Sequence, residues 1–106
     1  MSHKEQKEEL LAHTAAEFVN FESNRESLIT VTRAALSTDE KQATIYISVL
    51  PESYEQHALD FLKRKRPELR TYVKKKTRVR VIPFFDFEID YGEKNRQDID
   101  TLSIRD

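Results

Sequence analysis

Between positions 63 and 80, ten side chains are cationic at neutral pH: Lys63, Arg64, Lys65, Arg66, Arg70, Lys74, Lys75, Lys76, Arg78 and Arg80. One acid, Glu68, interrupts them, so this window carries +9 while the whole chain carries −1 and the other 88 residues sum to −10. Ammonium and guanidinium groups at this density suit one task above others, the binding of phosphate oxygens. Arg does it through a planar fork and Lys as a mobile point charge. Segregated charge also sets up a local field that attracts a polyanion, while the acidic remainder of the surface repels it. All ten are therefore expected to contact a polyanion. Helix geometry offers a second reason for a few of them, because cations near a helix C-terminus interact favourably with its dipole. That accounts for one or two of the ten.

Other chemistry finds little support. His3, His13 and His57 fall on a tail and two separate predicted helices, and no histidine pair stands at i, i+4. Without cysteine, thiolate metal sites and disulfides are excluded, so neither a metal nor another cofactor is expected and a reducing cytoplasm fits. Asp86, Glu88 and Asp90 alternate along one segment and could in principle hold a divalent ion. Acids so placed more often keep an open sheet face soluble and discourage edge pairing. Pro51-Glu52-Ser53 reads as a helix start rather than a nucleophile elbow, and a chain with one glycine, Gly92, has no glycine-rich phosphate loop. No enzyme and no small-molecule substrate are expected. The longest apolar runs resemble Val81-Ile82-Pro83-Phe84-Phe85, far short of a membrane span. The first twenty residues include Lys4, Glu5, Lys7, Glu8 and Glu9 and show no apolar secretory region.

What must position the cations is one domain of 106 residues, with a core over about residues 8–92 and a short C-terminal helix or tail over 93–106. Leu11, Thr14 or Ala15, Phe18 and Phe21 repeat every three or four residues, which predicts a helix over 4–21. Residues 28–36 are β-branched and alternating and predict a strand, followed by a turn at Ser37-Thr38-Asp39-Glu40-Lys41. A second strand over 43–50 turns Ile45, Ile47 and Val49 to one face. Ser53 and Gln56 suit a capping box, where each side chain satisfies a free backbone donor at a helix start. Tyr54, Ala58, Phe61 and Leu62 then give an amphipathic helix to about residue 64. Pro67 fits the first position of another helix, whose apolar face is Leu69, Tyr72 and Val73. Tyr72 could instead stack on a base or ribose. A third strand over 79–90 would face Val81, Phe85, Phe87 and Ile89 inward and Asp86, Glu88 and Asp90 outward. A weaker helix over Lys94–Leu102 would close the chain.

The resulting order is αββααβ, an α+β domain in which helices cover one face of a three-stranded sheet. This is the element order of the type II KH domain, an RNA-binding fold. The RNA-recognition motif needs a different order and aromatics on its open sheet face. Here that face would show acids, so the basic helices and the segment after them must carry the interface.

Several segments then line up with one family. Ile29-Thr30-Val31-Thr32, Leu36-Ser37-Thr38-Asp39 and Ala43-Thr44-Ile45-Tyr46-Ile47-Ser48-Val49 resemble the first hairpin of ribosome-binding factor A. Pro83 to Phe87, Asp90-Tyr91-Gly92 and Ile99-Asp100-Thr101-Leu102 are similar to its closing strand, tyrosine-glycine step and terminal motif. Ser23-Asn24-Arg25 stands where that family often has aspartate-proline-arginine. The similarity runs over about residues 8–103, and the collinear series rather than any single motif carries it.

The resemblance implies a monomeric type II KH-like factor that binds the small ribosomal subunit and its ribosomal RNA during late maturation and RNA processing. Two other readings stay open: a KH-like binder of another RNA, and an interaction module whose basic stripe docks an acidic protein. The chain departs from the family at two places. KH domains grip nucleotide backbone with a Gly-x-x-Gly loop, which the family replaces by an alanine-x-glycine kink, but the helix junction here reads Lys65-Arg66-Pro67-Glu68. The family's N-terminal segment is usually arginine-rich, whereas this one holds Glu5, Glu8 and Glu9.

Overall fold

The computed structural model describes residues 2–22 and 26–92. Helix α1 (His3–Glu22) leads to strands β1 (Leu28–Leu36) and β2 (Gln42–Leu50), helices α2 (Glu55–Arg64) and α3 (Arg66–Lys76), and strand β3 (Phe84–Ile89). A single 3₁₀ turn, Glu52–Tyr54, precedes α2. The sheet order is β1-β2-β3, with β1 and β2 antiparallel and β2 and β3 parallel. The αββααβ order and the three-stranded sheet are thus those expected from the sequence.

One apolar sheet face explains this arrangement. Ala43, Ile45, Ile47 and Val49 of β2 and Phe85, Phe87 and Ile89 of β3 are all buried. Strand side chains alternate between faces, so these odd-numbered positions share one side. Leu11, Ala15, Phe18 and Val19 from α1, Ala58 and Leu62 from α2, and Leu69 and Val73 from α3 complete the same core. In β1 the alternation breaks. Ile29 and Val31 pack on the core, and so do Ala34 and Leu36, which have the opposite parity. The register slips between Val31 and Arg33, leaving Thr32 as an extra residue. A bulge of this kind turns the following side chains to the other face, which returns Ala34 and Leu36 to the interior.

The hairpin turn is built from side chains as much as backbone. The Asp39 carboxylate accepts the Ser37 hydroxyl at 2.7 Å and the Lys41 N–H at 3.0 Å, while the Ser37 hydroxyl oxygen accepts the Gln42 N–H at 3.1 Å. Glu40 adopts a left-handed φ of 58°. Hydrogen bonds from Ser37 and then Lys41 hold the Asp39 carboxyl below its ordinary pKa.

Four details differ from the sequence expectation. The third strand begins at Phe84 rather than 79, because Thr77 to Pro83 form an irregular connector that pairs with no strand; Val81 is 58% exposed, not inward. Phe21 is 77% exposed and Val19 takes the buried position, since Leu11, Ala15, Phe18 and Val19 form a tighter stripe along α1. No capping box forms: Tyr54 rather than Ser53 caps α2, without a side-chain bond, and the Gln56 amide donates to Asp60 within the helix. Of the three acids expected outside, Glu88 is exposed and Asp86 half-buried, but Asp90 is buried. It follows the last strand residue, where its N–H donates to the Ile47 carbonyl at 2.7 Å and its carboxylate accepts the Thr32 hydroxyl at 2.5 Å. Arg33 Nε stands 3.6 Å from the same carboxylate. The Lys94–Leu102 helix and the Ser23-Asn24-Arg25 segment lie outside the described residues.

Phe87 is fully buried at the centre of this core, so Phe87→Ala should lower unfolding free energy by about 3–5 kcal/mol in urea melts. The Asp39 effect has a definite sign. A carboxyl with a depressed folded-state pKa adds stability above its unfolded value and loses it as pH falls through the folded value. Asp39→Asn should therefore destabilise the protein at neutral pH and approach wild type in acid below the ordinary carboxylate range. Thermal melts from neutral pH down into that acid range would check it.

Candidate nucleic-acid interface

The junction between α2 and α3 is a single residue. Lys65 ends one helix and starts the next with φ −94° and ψ 5°, and its N–H reaches the carbonyls of Leu62 and Lys63. That φ is negative, so the bend needs no glycine. Arg66 Nε donates to the Lys63 carbonyl at 2.8 Å, closing the end of α2, and Pro67 lies in the first turn of α3, where its missing N–H costs no helix bond.

Burial of Leu69 and Val73 fixes the rotation of α3 and sorts its cations by face. Arg66, Arg70 and Lys74 recur every four residues and project to one side, together with Lys63 and Arg64 from the end of α2. These five line an open groove of about 740 Å³ whose opposite wall is Ile82, Phe84 and Phe85. Lys65, Lys75 and Lys76 are elsewhere. Lys65 pairs with Glu22 at 3.5 Å, Lys76 lies 5.7 Å from the Tyr72 ring, and Lys75 borders a smaller hollow beside Phe18 and Phe21. Arg78 and Arg80 line a third depression, against the first turns of α1. The ten cations are therefore divided among three surfaces, and the largest share meets in the groove.

Two kinds of restraint hold the groove's cations. Lys63 Nζ and Arg66 Nη1 each lie 3.2 Å from Asp86 Oδ1, one carboxylate serving both. The same oxygen accepts the Phe87 N–H at 2.9 Å. Arg70 is held by neutral groups instead. Its Nη2 donates to the Ile82 carbonyl at 3.1 Å, and its guanidinium carbon lies 4.7 Å from the centre of the Phe84 ring. Among the described residues no carboxylate pairs with Arg70, so it is positioned without losing its charge to a neighbour. Phe84 itself is 66% exposed. Guanidinium stacked on an exposed aromatic offers both a phosphate donor and a flat surface for a base.

Phe84 and Ile82 were not among the residues expected at the interface, although one signal for Phe84 was available. With Phe85, Phe87 and Ile89 facing inward, an aromatic at 84 must face outward, where a large apolar ring usually has a partner. Tyr72 resolves the other way. It is half-buried, with ring centres 5.6 Å from Phe18 and 6.5 Å from Phe21, and its hydroxyl donates to Glu17 at 3.2 Å. Desolvation first, and the Glu17 contact second, raise its phenol pKa above the ordinary value. Its role is packing. The histidines do not converge: His13 pairs with Glu17 and His57 with Glu26 at the surface. Among the described residues no cluster of metal-ligating side chains occurs, and no helix is long and apolar enough to cross a membrane.

The groove and fold can be set beside known proteins. Ribosome-binding factor A of Fervidobacterium nodosum is 36% identical over 67 residues, 62% of this chain and 54% of its own length. The matched stretch thus spans about half of that relative. The crystal structure of ribosome-binding factor A from Thermus thermophilus superposes with a TM-score of 0.74 at 26% identity, covering 83% of this chain and 97% of that one. A homology model of the Thermus thermophilus factor, fitted into a cryo-electron-microscopy map of its complex with the 30S subunit, gives 0.68 at 26% identity over 84% and 93%. A family model described as ribosome-binding factor A matches residues 3–103, nearly the whole sequence. With its αββααβ order and collinear hairpin and closing-strand motifs, the chain belongs to the ribosome-binding factor A family.

Proposed function

We propose that this chain is a cytoplasmic, non-catalytic assembly factor that binds RNA of the small ribosomal subunit during late maturation, acting as a monomer through the α2–α3 groove. One observation carries the reading: five cations, Lys63, Arg64, Arg66, Arg70 and Lys74, line one groove, and among the described residues Asp86 is the only acid paired with them. The Thermus thermophilus relative, fitted into the map of a 30S complex, supports the same partner.

The groove suits RNA better than an acidic protein for a physical reason. An aromatic ring open to solvent beside a fixed guanidinium matches a base next to its phosphate, whereas acidic side chains bring charge without a flat apolar surface. Lys63 and Arg66 remain available to phosphate despite Asp86. Their pairs are half-exposed, and such pairs contribute only about 0–1 kcal/mol. Asp86 itself opposes an incoming phosphate and moderates the affinity. Without a Gly-x-x-Gly loop, contact falls on long side chains rather than on backbone N–H groups.

Sucrose-gradient cosedimentation tests the partner directly. Wild-type protein should migrate with small subunits, and Arg70→Glu with Lys74→Glu should cut that binding about tenfold or more. Charge-assisted contacts contribute about 1.5–3 kcal/mol each, and about 1.4 kcal/mol is a factor of ten. Arg70→Lys keeps the charge but loses the fork and the stacked plane, so it should weaken binding several-fold with no change in salt slope. Migration of the double charge reversal with the subunit at wild-type level would sink the assignment of the groove.

Ionic strength supplies a second measurement. If about five phosphates are neutralised, log affinity should fall against log salt with a slope of about −3.5 to −4.5. Lys74→Gln should make that slope shallower by about one, and a slope near zero for wild type would exclude an electrostatic interface.

A further inference from the structure

The connector between α3 and β3 has a groove on each side. Ile82 belongs to the α2–α3 groove. Arg78, Val79, Arg80 and Val81 line the other, an open depression of about 540 Å³ against Lys7 and Leu10 of α1. Adjacent carbonyls of the connector are gripped from opposite sides. Lys7 Nζ donates to the Val81 carbonyl at 3.4 Å, and Arg70 Nη2 donates to the Ile82 carbonyl at 3.1 Å. The connector is therefore a fixed rib between two sites rather than the floor of one.

We infer that the α1-side groove is a second RNA site, so that one molecule grips two separate RNA segments across the rib; this rests on the α2–α3 groove being the first. The α1-side groove has an apolar floor, with Val81 58% and Leu10 42% exposed. Its rim carries Arg78 and Arg80, for which no ion pair to a carboxylate occurs among the described residues. Lys7 is spoken for by Glu40 at 3.3 Å, so the two arginines carry the rim's available charge. Apolar floor and cationic rim match the base and the phosphate of one nucleotide. Both volumes fall in the roughly 300–1,000 Å³ range of sites that enclose a small organic molecule. Arg78 and Arg80 line this groove, and Ile82 lines the other. Occupation of one groove does not fill the other.

The test uses the full chain and short single-stranded oligouridylates, one batch labelled with a donor dye and one with an acceptor. Wild type should bind two oligonucleotides per chain and bring donor and acceptor into energy transfer. Arg78→Gln with Arg80→Gln should reduce the stoichiometry to one and abolish transfer, leaving the remaining site's affinity unchanged. Arg70→Glu with Lys74→Glu should also leave one site, the other one. Both pairs are at the surface, and unchanged melting temperatures would confirm folding. A wild type that binds one oligonucleotide, lost on changing Arg70 and Lys74 but not Arg78 and Arg80, would overturn the second site and leave the first standing. The reverse pattern would overturn the first site. A wild type that binds none would overturn both.

Discussion

Leu69 and Val73 sit four residues apart in α3, and both are fully buried. Burying each contributes about 1.5–3 kcal/mol, a driving force that exposed lysines and arginines cannot offset. The helix must therefore turn these two toward β3, and every other side chain of α3 takes its place from that rotation. Arg66, Arg70 and Lys74 come to one flank, Lys65 and Lys76 to the other. A quarter-turn of α3 would carry the Arg70 flank into the core and bury a cation. Packing thus decides which charges converge, although the charges contribute little to packing.

The same hierarchy explains what could be read from the chain alone. Period-two runs in β2 and β3 and the three- to four-residue stripe of α1 follow from burial on one face, and they located the strands and the core. The bulge at Thr32 follows from nothing local, because Ile29-Thr30-Val31-Thr32 alternates well by itself. Only pairing with β2 reveals the extra residue. The connector after Thr77 looked like strand because Val79, Val81 and Ile82 are β-branched, but no neighbouring strand extends that far. Asp90 looked like another surface acid, since the partners that cover it, Thr32 and Arg33, are far away in the chain. The cationic segment was legible as a charge density and not as a site. A linear window cannot tell the two sides of a helix from the two sides of a rib.

The helix junction shows how a missing glycine can be accommodated. Close backbone approach in a Gly-x-x-Gly loop relies on residues without Cβ atoms. Here Lys65 makes the turn with ordinary dihedrals, and Arg66 satisfies a terminal carbonyl with its own side chain. Hydrogen bonds at the end of α2 and the proline ring at the start of α3 replace conformational freedom. The junction consequently presents side chains, and the restraint on each one differs. Arg70 is held by a carbonyl and a ring, which fix its position and leave its charge intact, whereas Lys63 and Arg66 share an anion.

That shared anion has a second consequence. Among the described residues β3 is an edge strand of the sheet, and such a strand offers unpaired N–H and C=O groups to any extended peptide that drifts past. The exposed ring of Phe84 makes this border more adhesive. Asp86 Oδ1 takes the Phe87 N–H for itself and draws Lys63 and Arg66 around the same spot. A second chain adding here would have to displace that bond and bring its backbone up against two cations and a carboxylate. The carboxylate that holds both cations is thereby also an obstacle to strand addition at the border where Phe84 stands exposed.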